Sequence, residues 1–171
     1  MPETNAPYKI GDYYNKNGKE GVVFEVRDNG RHGKIVSLDE TRARVRWCTE
    51  EQYGEGIKLG LTNNSNGKAN TDKVMQRGDS DQYPPFVWCR NKGEDWYLPA
   101  KDELKAISNN RSAINSTLAK YGTGLGFGSH WSSTEYENNP EIYAWSVYMD
   151  DGDASTYSKD NSNYVRAVSA F

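Results

Sequence analysis

This sequence is short of the residues that most functions announce themselves with. Only 35% of its 171 residues are hydrophobic, and no apolar run exceeds a few positions, as in Gly21 to Phe24. A bilayer span needs about 20 consecutive apolar residues, so none is expected and neither is direct membrane insertion. Lysine and arginine number 21 against 24 acidic residues, a net charge of -3, with no basic stripe. That balance disfavours nucleic acid as a partner. Met1 to Pro7 lacks a basic segment followed by an apolar one, so the sequence as given does not open on a signal peptide. There are two histidines, His32 and His130, and two cysteines, Cys48 and Cys89, without metal-ligand spacing. No metal or other cofactor is expected. The cysteines each follow a tryptophan, and two outcomes stay open for them: buried free thiols or one disulfide.

What is plentiful is aromatic: five Trp and twelve Tyr. A core of such composition leans on large rings. The length fits one domain, spanning 1–171, with residues 1–19 as an N-terminal extension or first strand. Gly21 to Val26 is a β-branched run ending at Asp28-Asn29-Gly30, a hairpin signal, and Gly33 to Leu38 is the returning strand. Residues 53–70, rich in Gly, Asn and Ser, read as a long surface loop. Asn70 to Asp72 offers an N-cap for a short helix ending at Met75. Pro84-Pro85 opens a helix that stops at Gly93. Trp96 to Leu98 is extended ahead of Pro99. Ala100 to Ser108 and Ser112 to Tyr121 carry apolar residues at helical spacing. Trp131 to Thr134, Glu141 to Met149, Asp153 to Ser158 and Tyr164 to Phe171 read as strands. Strands, then helices, then strands argue for an α+β fold.

Motifs that suggest chemistry lack their context. Gly122 to Gly128 alternates glycine with other residues but follows a helix, the reverse of a dinucleotide fingerprint. Asp150 to Asp153 has too few ligands for a calcium loop and reads as a turn. No nucleophile and base stand in a recognisable pattern. The expectation is a binding protein and not an enzyme.

Four stretches stand out: Trp96 to Leu104 (WYLPAKDEL), Trp131 to Tyr136 (WSSTEY), Tyr143 to Trp145 (YAW) and Tyr164 to Val168 (YVRAV). In these the chain resembles the C-type-lectin-like domains of the DUF1566 type, which include the C-terminal domain of a Legionella collagen-like adhesin. It is also similar to the variable proteins of diversity-generating retroelements. The resemblance covers about residues 20–171. It implies two main helices packed on a small twisted antiparallel sheet, N- and C-terminal strands close together, and long loops. It implies recognition of a protein or cell-surface ligand, glycans included, at the cell surface or on a phage virion. The alternatives are a non-diversified adhesin or pilus module, and an enzyme related to the formylglycine-generating family, which shares the fold. Those enzymes use a C-terminal cysteine pair, whereas the last cysteine here is Cys89. Calcium-dependent lectins use a Glu-Pro-Asn type triplet and a later Trp-Asn-Asp. Here Asn139-Pro140-Glu141 is present, but Ser146 follows Trp145.

The residues add a reading of their own. From Trp145 the chain alternates, placing Trp145, Val147 and Met149 on one face and Ser146, Tyr148 and Asp150 on the other. Trp145 and Val147 of the first set are expected in the core with Trp96, Leu98 and Trp131. The second, with Asp153, Ser155 and Tyr157 of the returning strand, is expected as one exposed face, bordered by Tyr136, Tyr143 and Asn163 and with His130 at its edge. Tyr, Ser and Asp resemble a paratope in composition. In the retroelement proteins, adenine-directed mutation of Asn codons yields such residues. Arg166, in an apolar strand, needs a buried partner; the resemblance points to Glu103 or Glu135.

Overall fold

The computed structural model describes residues 7–171. Residues 1–6 of the expected N-terminal extension lie outside the described residues. The fold is α+β. Strands β1 (Tyr13–Lys16), β2 (Lys19–Arg27) and β3 (His32–Val36) form a meander, followed by β4 (Val45–Arg46). Helices α1 (Glu50–Glu55), α2 (Gly67–Met75) and α3 (Pro84–Arg90) lead to β5 (Trp96–Tyr97), α4 (Lys101–Asn109) and α5 (Arg111–Tyr121). Strands β6 (Ser129–Glu135), β7 (Tyr143–Tyr148), β8 (Ala154–Ser158), β9 (Ser162–Asn163) and β10 (Val168–Ala170) close the chain. Among the described residues no helix is long and apolar enough to cross a membrane.

Three antiparallel sheets result: β1-β2-β3-β10-β5, β6-β7-β8, and the small β4-β9 pair. The C-terminal strand therefore lies between β3 and β5, beside the N-terminal meander, as expected. The turn between β2 and β3 places Asn29 at φ 54° and Gly30 at φ 83°, the left-handed region that Asn and Gly tolerate best.

Two stretches differ from expectation. Residues 53–70 are not one surface loop. Thr49 caps α1, its hydroxyl accepting from the Gln52 N–H, and Asn66 caps α2 by accepting from Ala69 N–H. The second cap starts the helix at Gly67, ahead of the expected Asn70. Asn70 lies inside the helix, buried, and its amide ties Asn63 O (2.8 Å) to Ser133 Oγ (3.1 Å). Between the helices, Leu61 is fully buried. The buried Glu135 carboxylate holds that segment, accepting from Leu59 N and Leu61 N, with Lys159 Nζ at 2.6 Å.

Helices α4 and α5 sit between the large sheet and the three-stranded one. Leu104, Ile107, Ile114 and Leu118 pack against Val22, Phe24 and Val36 on one side and Val147 and Met149 on the other. A second cluster gathers Trp47, Leu61, Val74, Tyr83, Phe86, Leu98, Trp131 and Ala144. The three-stranded sheet thus buries both faces along its middle. The two fully buried indoles of this cluster find backbone acceptors: Trp131 Nε1 donates to Val45 O (2.8 Å) and Trp47 Nε1 to Ser132 O (2.9 Å). Cys48 and Cys89 are free buried thiols in the same cluster. Burial pushes the Cys48 thiol up to about 11 and raises that of Cys89 further, so both stay protonated and unreactive.

Trp96, Leu98, Trp131 and Val147 are core residues as expected, but Trp145 is not. It is half-buried, with Lys101 Nζ 4.4 Å from the ring centroid and its Nε1 donating to Glu137 Oε2. Arg166 is buried, but its carboxylate partner is Glu40 at 3.1 Å, not Glu103 or Glu135. Those two are already engaged: Glu103 takes Lys34 (2.9 Å), Tyr97 OH (2.7 Å) and the Gly67 and Ala100 N–H groups, and Glu135 takes Lys159.

Two expectations follow from this packing. Trp131→Ala should cost about 3–5 kcal/mol and Trp145→Ala only about 1 kcal/mol, by denaturant titration. Equal losses would show that the Trp145 indole carries core packing after all. The second concerns acid. Burial pushes the Glu40 carboxyl up, but hydrogen bonds and charge from His130 and Arg166 outweigh it and hold the group below its ordinary 4.5. The folded state therefore binds that proton more weakly than the unfolded chain. The stabilisation is complete above pH 4.5 and is lost as pH falls through the folded value. Melting temperature against pH should show an acid limb that is shallower in Glu40→Gln, at a lower plateau. An unchanged limb would remove Glu40 from the cause.

Candidate functional site

The exposed end of the three-stranded sheet, where Tyr148 lies, is where the candidate site forms. Register fixes the shared faces: Ser146 opposes Ser155, Ala144 opposes Tyr157, and Ser129 opposes Tyr148. Directly paired residues point to the same side. Ser129, Tyr148 and Tyr157 therefore project together, and Ser129 Oγ lies 3.5 Å from Tyr157 OH. The β4-β9 pair and the glycine-rich loop 122–128 stand against this face. Between them runs a groove of about 400 Å3 lined by Arg44, Phe127, Gly128, Ser129, Tyr148, Tyr157 and Asn161 to Asn163. Phe127 is 82% exposed and Tyr148 41%. Arg44 has its guanidinium 5.4 Å from the Tyr164 ring centroid and forms no ion pair among the described residues. The charge of Asp150 raises the Tyr148 phenol, so its hydroxyl remains a donor across the neutral range.

The expected site residues divide. Tyr148, Asp153 and Ser155 are exposed as expected. Tyr157 reaches the groove but is half-buried, its ring edge-on to Trp131 at 6.3 Å between centroids. Asp150 is half-buried and faces a neighbouring hollow with Arg111, Leu125 and Met149. Ser146 is fully buried; the aromatic cluster around Trp131 covers its side of the sheet, and its Oγ donates to Ser155 O at 3.3 Å. Tyr136 and Tyr143 do not border the groove. Tyr143 has the parity of Trp145, on the other side of the sheet, and Tyr136 packs edge-on against both, at 6.3 and 5.4 Å between centroids. His130 is not at an edge but fully buried, Nε2 at 2.9 Å from Glu40 Oε1, which places the ring hydrogen on Nε2 when the imidazole is neutral. Asn163 is 5% exposed and forms groove wall; its buried amide nitrogen has no hydrogen-bond partner.

Sequence reading missed Arg44, Phe127, Ser129, Asn161 and Ser162. Phe127 had a visible signal, a lone large apolar residue between Gly126 and Gly128, where no helix or strand would bury it. Arg44 had none, because only the pairing of Val45 with Asn163 brings it beside the sheet.

A groove of this kind has aromatic walls, hydroxyl and amide groups and one unpaired guanidinium. It is equipped to hold a ligand; among the described residues no His, Cys, Asp and Glu cluster is grouped to hold a metal ion. Comparison with curated proteins gives no match. The family model of the Lcl C-terminal domain matches residues 38–169, from just after β3 into β10 and including every residue of the groove. The chain belongs to the Lcl C-terminal domain family.

Proposed function

We propose that this chain is an adhesin-like surface module that recognises a protein or cell-surface ligand and catalyses nothing. The observation that carries the reading is the convergence of Phe127, Tyr148 and the unpaired Arg44 on one groove. Aromatic residues and Arg supply most of the energy at recognition surfaces, and a large exposed Phe beside a concavity is unusual unless something covers it. The family supports the reading, since the collagen-like adhesin it is named for is a surface protein. The C-type-lectin-like arrangement expected from the sequence is compatible with two helices packed among antiparallel sheets.

The finer reading is a variable protein of a diversity-generating retroelement. Tyr148, Asp153, Ser155, Tyr157 and Asn161 are residues that adenine-directed mutation of Asn codons yields, and they lie on or beside the groove. Ser146, His130 and Asn163 are buried and fall outside such a displayed set. A template repeat and a reverse transcriptase gene next to the coding sequence would support this reading, and their absence would leave the non-diversified adhesin module.

The test uses arrays of extracellular-matrix proteins and surface glycans probed with the full chain and a Phe127→Ala/Tyr148→Ala variant. Both side chains are exposed enough that the melting temperature should move by no more than about 2 °C, while binding weakens at least tenfold, about 1.4 kcal/mol. Undiminished binding would move the site elsewhere, and Trp145→Ala would then report on the Tyr136, Tyr143 and Trp145 cluster.

A further inference from the structure

We infer that the groove takes a protein ligand by a carboxylate side chain set beside a large apolar one, a deeper statement that rests on the recognition role proposed above. The groove wall carries a full positive charge at Arg44 and no carboxylate at all. The acids of the hairpin tip, Asp150, Asp151 and Asp153, line no part of it, although the charge of Asp150 reaches the Tyr148 hydroxyl at its edge. Arg44 has no ion-pair partner among the described residues, so its five donors are free for a bidentate acceptor. Arg166, in contrast, is saturated: Nε donates to Ser37 O, Nη1 to Glu40 Oε1 and Gly124 O, Nη2 to Leu38 O and Thr123 O.

Asn163 is the second, independent observation. Its side chain is 95% out of solvent by its 5% exposure, lies in the groove wall, and has an amide nitrogen with no partner. Native proteins rarely leave a buried donor unpaired. Among the described residues nothing satisfies this nitrogen, so an acceptor seated against the groove wall would be its partner. Both Asn163 and Arg44 then present donors, and what they lack is an acceptor carrying negative charge. Phe127, Tyr148 and Tyr157 offer ring surface alongside. Tyr, Ser, Asn and Arg are the residues by which protein-binding loops work, Tyr for contact area, the small polar ones for adaptable hydrogen bonds. Among the lining side chains the acceptors are hydroxyl and amide oxygens alone, so the charged partner that Arg44 favours is an acid.

A random heptapeptide library displayed on phage, selected on the full chain, tests this. Enriched peptides should share an Asp or Glu next to Leu, Phe, Tyr or Trp. The best synthetic peptide and its Asp→Asn or Glu→Gln isostere are then titrated against the parent chain and Arg44→Gln. Arg44 is exposed and its guanidinium rests against the half-buried Tyr164 ring, so this variant should fold as the parent does. The isostere should bind the parent at least tenfold more weakly, and the two peptides should bind Arg44→Gln equally, since the cycle isolates one pair. An isostere that binds the parent as well as the acid does overturns the carboxylate inference, yet leaves the groove standing if Phe127→Ala/Tyr148→Ala weakens both peptides. Peptides indifferent to that double variant overturn the groove itself. A selection that enriches nothing overturns the peptide class. Arg44-dependent binding of a glucuronate oligosaccharide in that case would assign the same chemistry to a glycan.

Discussion

The guanidinium of Arg166 is the point on which the groove depends. Its five N–H donors meet five oxygens, on Ser37, Leu38, Glu40, Thr123 and Gly124, and none is left over. Three segments far apart in sequence are thereby tied: the turn after β3, the glycine-rich loop after α5, and the irregular segment before β10, where the sequence led one to expect strand from Tyr164 onward but β10 begins only at Val168. Glu40 reaches further, accepting from His130 of β6 and from Gly126 N in the loop itself. A buried guanidinium is expensive to dehydrate, and replacing only one partner of such a pair typically costs 3–5 kcal/mol. What the arrangement provides is position. Phe127 directly follows Gly126, hardly touched by the rest of the protein, and it is held over the groove because the loop below it is hydrogen-bonded to the core.

Glu103 and Glu135 repeat that logic elsewhere. Each is a buried carboxylate that collects backbone N–H groups from a segment unable to satisfy them in a helix or sheet: Gly67 and Ala100 for Glu103, Leu59 and Leu61 for Glu135. Each is balanced by one lysine, Lys34 and Lys159 respectively. A protein with few aliphatic residues and long connections needs such clamps, because irregular backbone cannot be buried unless its polar groups are paired. Gly67 shows how closely the parts are drawn in: a Cβ there would stand 2.3 Å from Leu98 O.

Much of the fold was legible in the sequence, and the limits have definite causes. The helices α3, α4 and α5 followed from proline, glycine and apolar spacing, and the β2–β3 and β7–β8 hairpins from their turns. The start of α2 was misplaced because two Asn residues, Asn66 and Asn70, could each cap it, and only tertiary contacts chose Asn66. The site was legible in part. Period-two alternation put Tyr148, Ser155 and Tyr157 on one side correctly, as the Ser146–Ser155 and Ala144–Tyr157 pairing shows. It failed on exposure, because alternation separates buried from exposed only when one face of a sheet meets water. Here Val147 and Met149 pack on the helices while Ser146 lies under the Trp131 cluster, so both faces are covered in the middle of β7. Trp145 escapes the core for the complementary reason: it sits one pair further along, where the polar side chains of Lys101, at the first turn of α4, and Glu137 cover it instead of apolar helix residues.

The division between the groove's two sides bears on how it could recognise anything. Its floor is rigid: Ser129 and Tyr157 belong to paired strands, and Tyr157 leans on the fully buried Trp131. Its rim is made of exposed side chains: Phe127 projects from between two glycines of a loop tied to the core, and Arg44 is a long side chain resting on Tyr164. A stiff floor lowers the ordering cost of binding, while exposed side chains at the rim let one scaffold fit ligands of differing shape. Substitutions at the rim would change what is held without touching the core, because Arg44, Phe127 and Tyr148 contribute little to it. Substitutions at Ser146, His130 or Asn163 would not, since each is buried among the groups that keep the sheet in place. On the proposed reading, packing would confine variation in ligand preference to a few exposed positions around the groove.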